Sequence, residues 1–179
     1  YNLLKDKVAL MGASAGATSS LWIGLQDDMS DQNSSDPILR ESTKVSCIIG
    51  MAAAHSLNLN RWKIMANVDL AYLKSIFEKY LGKMDTEKWM KRSFDENYIS
   101  EVDFFEKMDA NDPPIFIFNP GKNRKPKNIA DFHHNPLHAK VLKERADSLK
   151  IKNVVYAPRI GIIDKSGQGV VDFITENLN

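Results

Sequence analysis

Ten residues near the start of the chain constrain it most: Val8-Ala9-Leu10-Met11-Gly12-Ala13-Ser14-Ala15-Gly16-Ala17. An apolar run of strand length ends in Gly-x-Ser-x-Gly, and residues 17–25 after it read as a helix. Strand, sharp turn, serine and helix in that order predict a nucleophile elbow. Such a turn holds the serine in a strained backbone conformation and lifts its hydroxyl above the sheet edge. Gly12 and Gly16 are expected to remove β-carbons that would collide where strand and helix pass closely. The helix N-terminus lies directly behind the serine. Its free backbone N–H groups, that of Ala15 first, would favour a developing oxyanion. On the pattern alone, the same residues also fit a small-residue turn in which Ser14 merely packs or caps.

The rest of the chain alternates strand and helix. A turn-rich loop over 26–36 carries Asp27, Asp28, Asp31 and Asp36. Their spacing fits no EF-hand template, which needs a glycine at the sixth position and a glutamate at the twelfth, so a solvated loop is expected and no metal site. Asp36 and Pro37 open a short turn over 38–42. Residues 44–50 read as a second buried strand. His55 falls in the loop that leaves its C-terminal end, the edge where open parallel sheets bind ligands. Apolar periodicity predicts one helix over 62–81, ended by Gly82. A second helical piece bears Trp89, Met90 and Phe94, and a third over 100–108 starts with Ser100 and Asp103 as a capping box. These aromatics and methionines read as inter-helix packing, some of them as lining for an acyl pocket if the helices cover the serine. Asp112-Pro113-Pro114 leads into a third strand at 115–118. The basic loop after it, with Lys122, Arg124, Lys125 and Lys127, reads as a solvated face. Residues 131–138, Asp-Phe-His-His-Asn-Pro-Leu-His, run into a helix over 137–149. A fourth strand covers 153–156 and a closing helix 170–178. This order implies an α/β fold with a parallel sheet and right-handed crossovers. It reads as one domain over 1–179, with a helical insertion at about 60–110.

Composition narrows the function classes. With 179 residues, 43% of them hydrophobic, the chain can bury a sizeable core. A formal net charge of +1 gives no electrostatic case for nucleic acid or an anionic membrane. No apolar stretch approaches the ~20 residues of a membrane span. The single cysteine, Cys47, excludes an intrachain disulfide and, within the apolar run 45–49, reads as a buried thiol. Neither glycine-rich nucleotide-binding pattern occurs, and no cofactor is expected. The sequence opens with Tyr1 and reaches its first strand within seven residues, so an upstream part is expected. An upstream signal, if one exists, would make the protein secreted or periplasmic; nothing else in the residues speaks to the compartment.

Residues 12–29 and 36–43, with 112–116, 133–136 and 139–149, resemble bacterial esterase/lipase-type α/β-hydrolases, carboxylesterases of the feruloyl- and acetyl-esterase kind. The resemblance implies a three-layer α/β-hydrolase sandwich with a mostly parallel, eight-stranded sheet. This chain would supply the last four strands and lack the N-terminal ones, including the strand beside the elbow. It therefore implies an exposed apolar sheet edge, an expected association site, and a second oxyanion donor upstream of Tyr1. The implied activity is that of a serine carboxylesterase working through an acyl-enzyme at Ser14, without a cofactor. The implied substrate is a small-molecule or carbohydrate ester, at family level an acetylated or feruloylated carbohydrate. The catalytic acid should follow the third strand. Asp131 is the sole carboxylate between Asp112 and Glu144, although a turn or cap role would suit it equally. The histidine should follow the fourth strand, yet residues 157–179 contain none. The general base is therefore open among His133, His134, His138 and His55. That gap sustains a second reading, a non-catalytic or degenerate α/β-hydrolase-like binding domain that kept the elbow and lost the base.

Overall fold

A computed structural model describes residues 4–179; residues 1–3 of the polar lead-in lie outside the described residues. The chain runs β1 (Ala9–Ala13), α1 (Ala15–Gly24), β2 (Cys47–Met51), then α2 (Leu59–Ala66), α3 (Leu70–Leu81), α4 (Lys83–Ser93), α5 (Glu96–Val102) and α6 (Phe104–Lys107). It continues through β3 (Ile115–Phe118), α7 (Ile129–His133), α8 (Leu137–Leu149), β4 (Asn153–Tyr156), a 3-10 turn (Pro158–Ile160) and α9 (Val170–Leu178). The four strands form one all-parallel sheet in the order β1-β2-β3-β4. Its register sets Gly12 opposite Gly50 and Ile49 opposite Phe116.

Alternation along each strand builds three layers. Ile48, Ile115, Ile117 and Val155 face Ala17 and Leu21 of α1 and Ala139, Leu142 and Ala146 of α8. Cys47, Ile49, Phe116 and Val154 face the other way, onto Phe173 of α9. Both faces are covered, so the strands are apolar on both sides, as parallel strands must be. The fold is a three-layer α/β sandwich. Cys47 is fully buried in it. Among the described residues β1 pairs with β2 alone, and Met11 on it is 57% exposed. No helix among the described residues is long and apolar enough to cross a membrane.

Three of the five helices between β2 and β3, α2, α3 and α4, share a core of their own, while Phe104 of α6 joins the sheet core. Leu59, Trp62, Leu73, Ile76, Phe77 and Met90 enclose Phe132 of α7. Two expectations here are corrected. The helix expected over 62–81 is two helices, because Asn67 takes a left-handed conformation (φ 49°) that ends α2, and the Asp69 side chain accepts the Tyr72 N–H to start α3. The apolar periodicity runs across the break because both helices face the same core. The helix expected over 100–108 starts instead at Glu96, capped by Asp95, which accepts the Tyr98 N–H. It stops at Asp103, whose carboxylate is drawn sideways to Ser56 and Arg61. The 26–43 loop is organised by Asp28. Its carboxylate accepts the Ser30 and Thr43 N–H groups and the Ser42 hydroxyl, and these bonds hold its pKa far below the ordinary carboxylate range.

Candidate active site

Ser14 stands between the last residue of β1 and the first of α1, with φ 52° and ψ −117°. Few residues other than glycine adopt such a backbone, which costs about 1–3 kcal/mol and persists only where its surroundings impose it. Here both sides impose it. The Ser14 N–H continues the sheet ladder to the Met51 carbonyl at 2.8 Å. The Ser14 carbonyl accepts the Thr18 N–H, the first bond of α1, at 3.1 Å. The two motif glycines are not equivalent. A β-carbon on Gly12 would stand 2.2 Å from the Gly16 carbonyl carbon, whereas one on Gly16 would meet nothing within 4 Å. Gly12 alone allows strand and helix to cross; the same expectation for Gly16 is corrected.

Among the described residues, the N–H groups of Ala15, Gly16 and Ala17 donate to no protein acceptor. They open the ten-residue helix α1 directly behind the serine. Their orientation suits a negative charge developing on a substrate oxygen.

The Ser14 Oγ lies 2.8 Å from the Nε2 of His134. Of the four histidines left open by the sequence, the structure brings this one to the serine. His134 caps the C-terminus of α7, and Phe132, two residues before it, is anchored in the helical-insertion core. Its backbone is held from the sheet as well. A β-carbon on Gly121 would stand 1.8 Å from the His134 carbonyl oxygen, so this approach requires glycine. Asn119, fully buried at the end of β3, accepts the Gly121 N–H at 2.9 Å and donates to the Asn135 carbonyl at 3.1 Å. Neither Gly121 nor Asn119 was singled out from the sequence; an Asn-x-Gly turn after a strand is the signal that was there.

The other histidines serve elsewhere. His138 Nε2 lies 2.8 Å from the Phe132 carbonyl, which can only accept, so Nε2 carries the proton. Its Nδ1 is then an acceptor. It receives the His55 backbone N–H at 3.1 Å and faces the His55 Nδ1–H at 2.7 Å. Both rings are buried and neutral. Burial pushes His138 down to about 3, and burial with the neighbouring His138 and Arg61 pushes His55 well below its ordinary value. His133 packs edge-on against Trp62 at 4.9 Å, and burial, with His134 beside it, lowers its pKa too.

Asp131 is not brought to His134. Its carboxylate takes Arg124 at 2.8 and 3.1 Å and the Lys127 N–H at 3.0 Å. The Arg124 guanidinium holds its pKa below the usual carboxylate range. Among the described residues no carboxylate hydrogen-bonds to the His134 ring. A second serine–carboxylate pair, Ser56 Oγ to Asp103 at 2.7 Å, is fully buried. Arg61 also binds Asp103, at 3.1 Å, and the Ser56 carbonyl accepts the Trp62 indole N–H at 2.7 Å. This network pins the loop carrying His55 to the insertion.

A half-open apolar cavity of about 530 Å³ adjoins the serine. Ala15, Ser19, Trp22 and Ile23 of α1 form one wall, and Leu57, Trp62 and His133 form the other. Of the helical aromatics and methionines expected to pack between helices, with some lining a pocket, Trp62 lines this cavity, whereas Trp89 stacks on Phe77 at 4.1 Å and, with Met90 and Phe94, belongs to the helical core. Trp62 is the insertion's contribution.

No family model and no curated protein matches the chain. Among solved structures, an acetyl ester-xyloside bifunctional hydrolase from Caldicellulosiruptor lactoaceticus superposes with a TM-score of 0.53 at 13% identity. The match covers 93% of this chain and 48% of that one, so the chain spans about half the length of its structural neighbour. The likeness is one of fold alone.

Proposed function

We propose that this chain carries the nucleophile and base of a serine ester hydrolase. One observation carries the reading: a serine in a strained strand-to-helix elbow with an imidazole nitrogen 2.8 Å from its hydroxyl. His134 Nε2 accepts the Ser14 proton as Oγ attacks the ester carbonyl. The carbonyl oxygen, now negative, is held by the Ala15 N–H and the field of α1. The tetrahedral adduct collapses to an acyl-enzyme when His134 returns the proton to the departing alcohol. Water, deprotonated by the same ring, then releases the acid. The structural neighbour, an acetyl ester-xyloside bifunctional hydrolase, supports an ester of carbohydrate or small-molecule type.

With its carboxylate on Arg124, Asp131 acts on this reading through α7: it fastens the basic loop to the first turn of the helix that carries His134. A histidine without a carboxylate partner is a weaker base, and losing that partner costs about 10⁴-fold in rate in the best-studied triad. That favours, as the second reading, a degenerate domain that binds esters without turning them over.

Covalent labelling with a fluorophosphonate separates the two. The expected result is one adduct on the Ser14 peptide by mass, absent in Ser14→Ala and slowed at least ~100-fold in His134→Gln. A folded chain that takes no label on Ser14 leaves only the binding-domain reading.

A further inference from the structure

The cavity beside Ser14 has a chemistry of its own. None of the residues lining it carries a charge: they are Ala15, Thr18, Ser19, Trp22, Ile23, Ala54, Leu57, Trp62 and a His133 that burial keeps neutral. Its polar side chains other than His133 are occupied by the protein. Thr18 Oγ1 lies 3.3 Å from the Ser14 carbonyl and accepts the Ala54 N–H at 3.1 Å. Ser19 donates to the Ala15 carbonyl at 3.0 Å, and the Trp62 indole N–H goes to the Ser56 carbonyl. A ligand here finds carbon and aromatic faces, with few free hydrogen-bonding groups to orient a polar substituent. Ser14 and His134 themselves do not line it, but Ala15 and His133 in its walls are their chain neighbours, which places the cavity beside the serine–histidine pair.

Its size speaks against a small acyl group. An acetyl group would leave most of about 530 Å³ unfilled, whereas a volume of 300–1,000 Å³ is that of a site enclosing a whole drug-sized ligand. The wall from Ala15 to Ile23 spans nine residues of α1, eight rises of about 1.5 Å each or roughly 12 Å.

We infer that this cavity is the acyl subsite of the Ser14 centre and selects an uncharged aliphatic acyl group of medium length, roughly eight carbons along the ~12 Å wall. The inference rests on the Ser14 ester-hydrolase reading and departs from the acetyl group in the neighbour's name. Hydroxylated aromatic acyl groups such as ferulate are poor fits, since a buried phenol without a partner is costly.

The test compares kcat/KM for p-nitrophenyl octanoate, p-nitrophenyl acetate and methyl ferulate. Each buried methylene contributes up to about fourfold, so the octanoyl ester is expected to exceed the acetyl ester by at least about 100-fold. Ser19→Phe fills the cavity from an exposed helix position, and Trp22→Ala removes part of its wall. Each is expected to lower the octanoyl-to-acetyl ratio at least tenfold while thermal unfolding shows a folded chain. Acetyl preference, or a ratio unmoved by Ser19→Phe, overturns the inference. A titration keeps this outcome separate from failure of the esterase reading. In Ser14→Ala, sodium octanoate is expected to change tryptophan fluorescence saturably, and sodium acetate is not. Octanoate binding in a chain that never labels preserves the subsite and sinks the esterase; labelling without octanoate binding or octanoyl preference does the reverse.

Discussion

At the scale of single residues, the motif glycines carry unequal loads. Gly12 lies under the backbone of Gly16, and a β-carbon there would force strand and helix apart. Gly12→Ala is expected to cost about 3 kcal/mol, the upper end for overpacking, which lowers Tm by roughly 6–12 °C. Gly16→Ala adds a β-carbon in open space at the second residue of α1, and alanine is the better helix former by up to ~1 kcal/mol. Its Tm is expected to hold or rise slightly. Thermal melts of the two variants side by side decide the point; equal losses would mean that the crossing is not set by Gly12. The five-residue pattern treats the two positions alike because it records composition and not the direction in which each Cα–H points.

At the scale of elements, the helices between β2 and β3 explain how His134, the proposed base, reaches the serine. Residues 157–179, where the resemblance implies the histidine, have none, and His134 reaches Ser14 instead from the turn after α7. This five-residue helix is too short to hold itself in place. Its anchor is Phe132, fully buried among Leu73, Ile76 and Phe77 of α3 and Trp62 of α2. The insertion therefore acts on the site through α7. Phe132→Ala is expected to destabilise the fold by about 3–5 kcal/mol. Phe132→Leu keeps the chain folded at a cost of about 1–2 kcal/mol and should still slow fluorophosphonate labelling of Ser14 several-fold, although the ring touches no reacting atom. Unchanged labelling in a destabilised Phe132→Leu would uncouple the insertion from the base. The element boundaries that differ from the apolar pattern, Asn67 and Asp95, are places where one polar residue overrides it, Asn67 by a left-handed backbone and Asp95 by a side-chain cap.

At the scale of the whole molecule, acid should weaken the fold already between about pH 7 and 5. His55, His133 and His138 all have pKa values lowered from 6.5, chiefly by burial. Below about pH 6.5 the unfolded chain binds protons that the folded chain refuses, so stability falls as pH falls. For His138 this continues down to about 3. Each such histidine contributes up to about 1.4 kcal/mol per pH unit. Asp112 works against them: burial raises its pKa from 3.8 to about 6, so between those values the folded chain binds the extra proton. Three groups against one leave a net loss from pH 7 to 5, measurable by urea unfolding at fixed pH. A flat profile over that range would mean that the histidines are not held neutral.

The sequence by itself determined what is local in the chain. Near-continuous apolar runs of four or five residues specified the strands, turn formers separated them, and their alternation with helices specified a parallel sheet. The strand–Gly-x-Ser-x-Gly–helix order placed Ser14 at the sheet's C-terminal edge. All of these depend on neighbours within a few positions, where side-chain type and backbone preference are directly coupled. What the tertiary structure alone decided is which distant groups meet. His134 is 120 residues from Ser14, and nothing in the local sequence singles it out from His133 or His138, since all three fall within the six residues 133–138. Packing separates them: His138 turns inward to His55 and the Phe132 carbonyl, His133 turns onto Trp62, and only His134 is left facing the serine. Asp131 likewise satisfies the spacing of an acid, yet Arg124 lies closer to it than any imidazole does. Contacts between side chains far apart in sequence are set by how helices and sheet fill space together, and composition and periodicity carry no record of that.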